Sequence, residues 1–340
     1  MMQQENTNQL ADWAEAIGVV VIGRNEGERL RRCLNSLLGS VKCLVYVDSG
    51  STDDSVEMAR SLGSDVVDLD ISKPFTAARA RNMGFERLHQ INPDLSYVQF
   101  VDGDCEVVAG WIETAVKFLN ENDVYAVTCG RRRERYPERT IYNRLCDMEW
   151  DSPVGDVASC GGDTIIRVQA FDEVGGYNPV MIAGEEPEMC YRLRQKGWKI
   201  CRLDHEMTLH DADMNRISQW WNRTVRSGHA YAQGQARHGH LFSGYYTRNV
   251  WSVVIWGLII PVAGIAPAYW TQGLSLLVLP GYGILWWRVH RHRIKRGDSA
   301  EDAMLFTNFI VAGKFPQVSG VLKYWKNRLL GRVPKIIEYK

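Results

Sequence analysis

The chain has 340 residues, 45% of them hydrophobic and 24% charged, enough to bury one large core or two ordinary ones. Its formal net charge is zero, yet the charges are segregated: residues 1–249 hold 28 Lys and Arg against 36 Asp and Glu, residues 288–340 hold 12 against 4, and 250–287 hold none. An acidic body repels nucleic acid, which excludes it as an expected partner, whereas a basic tail suits a membrane surface.

Residues 1–16 are polar and acidic and lack the basic start and apolar stretch of a secretory signal, so they read as an N-terminal extension. From 17 to 130, apolar runs alternate with helical patterns. Gly18 to Gly23 is a continuous apolar run, as a strand buried on both faces requires, and Glu28 to Leu38 places Leu30, Leu34, Leu37 and Leu38 on one helical stripe. Further strands are predicted at Cys43 to Val47, Asp65 to Leu69 and Tyr97 to Val101, and helices at Ser55 to Leu62 and Thr76 to Leu88. This rhythm predicts an α/β fold with a mostly parallel sheet, right-handed crossovers and ligand loops at the strands' carboxyl ends.

Residues 131–240 are less regular. Arg131 to Arg139 is a charged segment, Ser159 to Arg167 has strand character, Glu185 to Lys196 is a helix stopped by Gly197, and Asn215 to His238 is a long helix rich in Trp, Arg and His. The eight cysteines form no Cys-x-x-Cys pair and several lie in apolar runs, which predicts reduced, mostly buried thiols in a cytosolic compartment.

Val250 to Trp287 is an uncharged stretch of 38 residues. Its first part, Val250 to Tyr269, is long enough to span a bilayer, with Trp251, Trp256, Tyr269 and Trp270 as interfacial anchors; Leu274 to Trp287 is shorter and carries Pro280, Gly281 and Gly283. A transmembrane hairpin, a re-entrant hairpin and a buried hairpin of a soluble core all fit. In the first two, Arg288, Arg291, Arg293, Lys295 and Arg296 hold both ends on the cytosolic side of the inner membrane. Residues 288–340 then continue as a basic amphipathic interfacial tail, apolar and basic residues alternating in Phe315 to Lys326 and Arg328 to Tyr339.

The chemistry concentrates at Asp102-Gly103-Asp104, directly after a predicted strand. At the carboxyl end of a buried strand both carboxylates enter the crevice where open α/β sheets bind ligands, and their hard oxygens suit Mg²⁺ or Mn²⁺ carrying a diphosphate. Asp48 likewise ends a strand, where its carboxylate can accept from a uracil imide, and the Ser49 to Asp53 turn lets backbone approach a nucleoside.

Four more motifs accompany these aspartates in order: Ile22-Gly23-Arg24-Asn25-Glu26, Val47 to Asp53, Ala78-Arg79-Ala80-Arg81-Asn82-Met83-Gly84, and Gly184-Glu185-Glu186-Pro187 running on to Arg192-Leu193. Together they resemble the family 2 glycosyltransferases, inverting enzymes of GT-A fold that use nucleotide-sugar donors, over residues 17–240. The resemblance implies a nucleotide-binding part (17–130) and an acceptor part (131–240). It implies that Asp48, Asn25 and Glu26 border the nucleoside and that Arg81 and Asn82 lie beside the nucleotide. Asp104 would ligate the metal, Asp102 would contact ribose or metal-bound water, and His210 would complete the metal site.

Inversion needs a carboxylate to take the acceptor's proton. Where the family has Glu-Asp this chain has Glu185-Glu186, and alignment on Arg192-Leu193 puts Glu186 at the base position with Glu185 as the alternative. Gly161, Gly162 and Asp163 resemble the segment lining the donor sugar and acceptor. Trp220 and Trp221 depart from the Gln-x-x-Arg-Trp pattern of processive synthases, which points to single-sugar transfer, and they meet the membrane interface or the acceptor. The expected reaction is transfer of one sugar, from a UDP-sugar by family expectation, to a lipid-linked or envelope saccharide acceptor. A soluble or protein acceptor and an inactive nucleotide-sugar-binding scaffold are the alternatives.

Overall fold

The computed structural model describes residues 13–332 and 336–338, so the first twelve residues of the predicted extension, and part of the alternation predicted to Tyr339, lie outside the described residues. The chain divides into two compact units, one built from the residues up to Pro137 with Glu149–Ala212, the other from Glu138–Met148 with Asp213–Lys340.

The first unit runs β1 (Ile17–Gly23), α1 (Glu28–Leu37), β2 (Cys43–Asp48), α2 (Ser55–Ser61), β3 (Asp65–Asp68), α3 (Ala77–Ile91), β4 (Tyr97–Asp102), β5 (Cys105–Val107), α4 (Trp111–Glu121) and β6 (Tyr125–Glu134). The helix α5 (Ile141–Trp150) ends in it, followed by β7 (Gly155–Asp156), β8 (Thr164–Arg167), α6 (Val168–Glu173), α7 (Glu185–Gln195) and β9 (Lys199–His210). One sheet holds every strand, in the order β3-β2-β1-β4-β8-β6-β9-β5 with β7 beside β9. The strands β3-β2-β1-β4 are mutually parallel. Beyond β4 the sheet is mixed: β8 runs antiparallel to β4 and β6, while β9 is parallel to β6.

Burial explains why the first strands read as unbroken apolar runs. Val19 and Val21 of β1 join one core layer with Leu30, Leu34 and Trp111, whereas Val20 and Ile22 join the opposite layer with Leu88, Phe100 and Phe171. Both faces of the sheet are therefore covered, and alternate residues must all be apolar. The chain order reverses between β1 and β4, where Ile22 pairs in register with Asp102. Ligands of open α/β sheets bind at such a reversal, beyond the strands' carboxyl ends.

Arg131 to Glu134, read from the sequence as part of a charged segment, continue β6 as strand. All eight cysteines are free thiols, and six are buried.

The second unit is helical. It comprises α8 (Ile217–His238), α9 (Thr247–Val254), one π-type turn at Ile255–Ile259, α10 (Ile260–Ile265), a 3₁₀ turn at Leu274–Val278, α11 (Gly281–Lys295), α12 (Ala300–Ala312) and α13 (Lys314–Leu329). Ala232, Val250, Val253, Val318, Val321 and Tyr324 form its apolar centre. Gly228 of α8 lies against the carbonyl of Gln317, and Gly320 of α13 against that of Val225, so a Cβ at either position would push these two helices apart. Pro261, lacking an N–H, sits just after the π-turn, which carries the helical ladder past it.

Thr247–Ile265 is a 19-residue helical run long and apolar enough to cross a bilayer, and only 22% of its most apolar window is buried. Beyond it Tyr269, Trp270, Leu274, Leu277, Ile284 and Trp287 are all exposed. Few buried core helices show so little cover. The basic residues Arg288, Arg291 and Lys295 follow on α11 with Arg296 at its C-terminal cap, whereas Arg293, predicted with them, is buried and paired with Asp298.

Candidate active site

The centre of the site is a buried arginine. Arg81, on the inner face of α3 and 3% exposed, donates from Nη2 to Asp102 Oδ1 (2.6 Å) and from Nη1 to Glu185 Oε1 (2.8 Å), tying the end of β4 to the start of α7. Its guanidinium also lies over the Tyr177 ring, 5.4 Å from the centroid. A second arginine, Arg132 on β6, reaches the other Asp102 oxygen at 3.0 Å and Asp163 at 2.6 Å. Although burial alone would raise the Asp102 pKa, the two guanidinium groups hold its carboxyl well below the usual range.

Asp163, fully buried, completes this network by accepting from the Asp102 backbone N–H (2.9 Å) and the Thr208 hydroxyl (2.8 Å). Gly162 sits where a Cβ would come within 2.7 Å of Arg81 and 2.9 Å of Asp102, so the network leaves no room for a side chain there. A Cβ on Gly161 would meet nothing within 4 Å.

Asp104 lies at the other end of the short turn into β5. Pairing of β5 with β9 sets Cys105 opposite His210, and the Asp211 N–H donates to the Asp104 carbonyl at 3.1 Å. This brings His210 Nε2 to 3.3 Å from Asp104 Oδ2. Burial lowers the His210 pKa below its ordinary value, which favours the neutral ring with a lone pair to offer. The indole of Trp150 meets the imidazole edge to face at 4.6 Å. A carboxylate and a neutral imidazole in a largely buried crevice fit a divalent cation such as Mn²⁺ or Mg²⁺. Burial pushes the neighbouring Cys105 thiol up, so it stands there as a neutral thiol.

Glu186 differs from Glu185 in its electrostatics. Glu185 is 5% exposed and held by Arg81, whereas Glu186, half-buried on the first turn of α7, makes no ion pair among the described residues. Burial and the adjacent Glu185 carboxylate push its pKa up to about 7, against the pull of Arg81. Gly184 caps this helix in the left-handed region, at φ 73°.

The remaining predicted residues support loops. Asp48 Oδ2 accepts from the N–H groups of Gly50 and Ser51 (2.9 and 2.8 Å), and its Oδ1 accepts from the hydroxyls of Tyr46 (2.9 Å) and Ser51 (2.5 Å). Asn25, at φ 55°, accepts from the Thr52 N–H and donates its own N–H to Ser51 Oγ, stapling the loop after β1 to the loop after β2. Glu26 pairs with Arg29 at 2.8 Å. The Asn82 amide bonds both the carbonyl and the N–H of Tyr177. Trp220 and Trp221 stand on α8 of the second unit, Trp220 buried against Phe309 and Trp221 exposed.

The site thus joins Arg81, Asp102, Asp104, Asp163, Gly162, Glu185 and His210, and adds Arg132, Glu134 and Trp150, which no local motif announces. Residues 131–134 are all charged, so no alternation singles out the two that face the site.

A mixed α/β sheet with paired acidic groups beyond the reversal of strand order is the architecture of a GT-A glycosyltransferase. Residues 18–172 match the Glycosyl transferase family 2 profile, so the chain carries a domain of that family. Among curated proteins it is 24% identical over 210 residues to glycosyltransferase AglE of Haloferax volcanii, covering 58% of this chain and 67% of that one. It is 25% identical over 225 residues to the succinoglycan biosynthesis protein ExoA of Rhizobium meliloti, covering 62% and 64%. The chain spans 67% and 64% of the length of these two relatives, and 48% of a pre-mycofactocin glycosyltransferase of Mycobacterium tuberculosis to which it is 25% identical. Among solved structures, a mannosyltransferase PcManGT from Pyrobaculum calidifontis, in complex with GDP-Man and Mn²⁺, shares the fold with TM-score 0.62 at 15% identity, covering 96% of this chain and 95% of that one.

Proposed function

We propose that the protein is a cation-dependent, inverting glycosyltransferase that moves one sugar from a nucleotide-diphosphate sugar to a lipid-linked or saccharide acceptor at the cytosolic face of the inner membrane. The observation that carries this reading is the contrast at the start of α7, where Glu185 is neutralised by Arg81 while Glu186 stays unpaired with a pKa near 7. A general base works best when its pKa lies near the working pH. Asp104 and His210 would hold the cation, which supplies positive charge to the departing diphosphate. Arg81 and Arg132 keep Asp102 ionised and fixed, and Gly162, without a side chain, lets the Arg81–Asp102 pair close against the backbone.

The GDP-Man and Mn²⁺ bound by the Pyrobaculum protein, and the succinoglycan role of the Rhizobium relative, support a nucleotide-sugar donor and an envelope saccharide acceptor. The direct test is a thermal shift with UDP, GDP and their sugars, with and without Mn²⁺, followed by donor hydrolysis. Stabilisation by one nucleotide sugar only when Mn²⁺ is present is expected. No shift with any of them at millimolar ligand would sink the reading.

The exposed apolar helix and the basic α11 that follows support the membrane assignment. The full chain should resist carbonate extraction from membranes, and Ile265→Glu combined with Leu277→Glu should release it, since both side chains are exposed on the apolar segment. A cysteine introduced at Ser299 should be shielded from an impermeant reagent in intact cells. Labelling there would overturn the orientation, and labelling of one at Gln272 would mark full spanning over a re-entrant dip.

A further inference from the structure

Residues two apart on a strand face the same side, so Arg132 and Glu134 of β6 look the same way, and their register partners on β9 are Thr208 and His210. Arg132 serves Asp102 and Asp163, as described. The Glu134 side chain has no solvent exposure. Its Oε2 accepts from the Ala212 N–H at 3.1 Å and lies 3.5 Å from His210 Nδ1, and its Oε1 accepts from the Tyr136 N–H at 3.2 Å.

Glu134, His210 and Asp104 therefore form a carboxylate–imidazole–carboxylate line. One ring nitrogen, Nε2, lies 3.3 Å from an Asp104 oxygen, and the other, Nδ1, lies 3.5 Å from Glu134 Oε2 without a hydrogen bond formed to it. A cation set between Nε2 and Asp104 would draw on both, and a carboxylate behind the second nitrogen is the usual means of orienting a metal-bound histidine. Arg132 steadies the same ring from the side, because it lies 5.4 Å over Trp150, which in turn meets His210.

We infer that Glu134 is a positioning residue for the cation: it fixes His210 with Nε2 toward Asp104, so that Asp104 and His210 hold the ion while Asp102, taken on both oxygens by arginine, stays outside its coordination sphere. This rests on the proposed cation-dependent nucleotide-sugar chemistry. It assigns Glu134 a role distinct from capping the loops at Tyr136 and Ala212, which a glutamine oxygen would also serve in part.

The test is Mn²⁺ affinity, read by electron paramagnetic resonance of free Mn²⁺ in the presence of saturating UDP or GDP, with no turnover required. Glu134→Gln is expected to weaken Mn²⁺ binding roughly 10- to 100-fold. His210→Ala should weaken it at least as much, and the double variant no further than His210→Ala alone, because one residue acts through the other. Asp102→Asn should keep Mn²⁺ affinity within about threefold of wild type. Wild-type affinity in Glu134→Gln, additive losses in the double variant, or loss of Mn²⁺ in a folded Asp102→Asn would each overturn the inference. Should Glu134→Gln fail to fold, Glu134→Asp, which withdraws the carboxylate by one methylene, is read against the same expectations. Wild-type protein that binds no Mn²⁺ with either nucleotide would instead remove the functional reading itself.

Discussion

Glu186→Gln is expected to leave Mn²⁺-dependent nucleotide binding intact while lowering turnover about 10²- to 10⁴-fold, the usual contribution of a positioned general base. The amide keeps the shape of the side chain and cannot accept the acceptor's proton. In the wild type, kcat/KM should rise with pH through about 7, where the carboxyl loses its proton, and that rise should vanish in the variant. Stability should move the opposite way. The folded carboxyl titrates near 7 against an ordinary value of 4.5, so the folded protein binds the extra proton between those values and loses stability as pH climbs through them. Solvent reaching this half-buried group reduces the effect, which is at most about 3 kcal/mol. The neutral Gln escapes that loss, so the variant should melt higher than wild type at pH 8 and alike at pH 5. Glu185→Gln should behave differently, because it strips a buried partner from Arg81 and destabilises the fold at both pH values. A dead Glu185→Gln beside an active Glu186→Gln would reverse the assignment of the base.

The parallel half of the sheet is legible in the sequence because both of its faces are buried. A strand such as Val19 to Ile22 must then be apolar throughout, and the stripe of Leu30, Leu34 and Leu37 announces the helix that covers it. The same logic hides β6, whose outer half is Arg131-Arg132-Arg133-Glu134. Four consecutive charges read as a solvated loop unless their partners are known, and Asp163 lies 31 residues from Arg132 while His210 lies 76 from Glu134. No local pattern carries that information.

The site divides in the same way. Asp102, Asp104 and Arg81 stand in short motifs at a strand end and on a helix, where position alone suggests chemistry. The Asp48 carboxylate shows the limit of such reading, since its own turn supplies three donors to it and Tyr46 of β2 a fourth. In the second unit, hydropathy delimits the apolar stretch but not the π-turn at Ile255 or the 3₁₀ turn at Leu274, because an uncharged segment offers no periodic contrast from which to read its geometry.

Asp104→Asn is expected to abolish Mn²⁺-dependent nucleotide binding and to cut turnover by on the order of 10³-fold or more, since an amide presents no charge to a divalent cation whose neutralising effect is worth several kcal/mol. Its melting temperature without metal should stay close to that of the wild type, because the Asp104 carboxylate faces the His210 nitrogen at 3.3 Å. The contrast with Asp102, only two residues away, makes the prediction sharp. Asp102→Asn removes the anion shared by Arg81 and Arg132 and leaves two guanidinium groups, 3% and 14% exposed, short of a partner, which should cost roughly 1–3 kcal/mol of stability. One substitution should therefore silence metal binding at nearly constant stability, and the other should lower stability with metal affinity largely retained. Calorimetry of Mn²⁺ and UDP binding beside thermal melts of the two proteins separates these signatures. Metal binding that survives Asp104→Asn and disappears with a folded Asp102→Asn would exchange the roles of the two aspartates and with them the arrangement proposed for the cation.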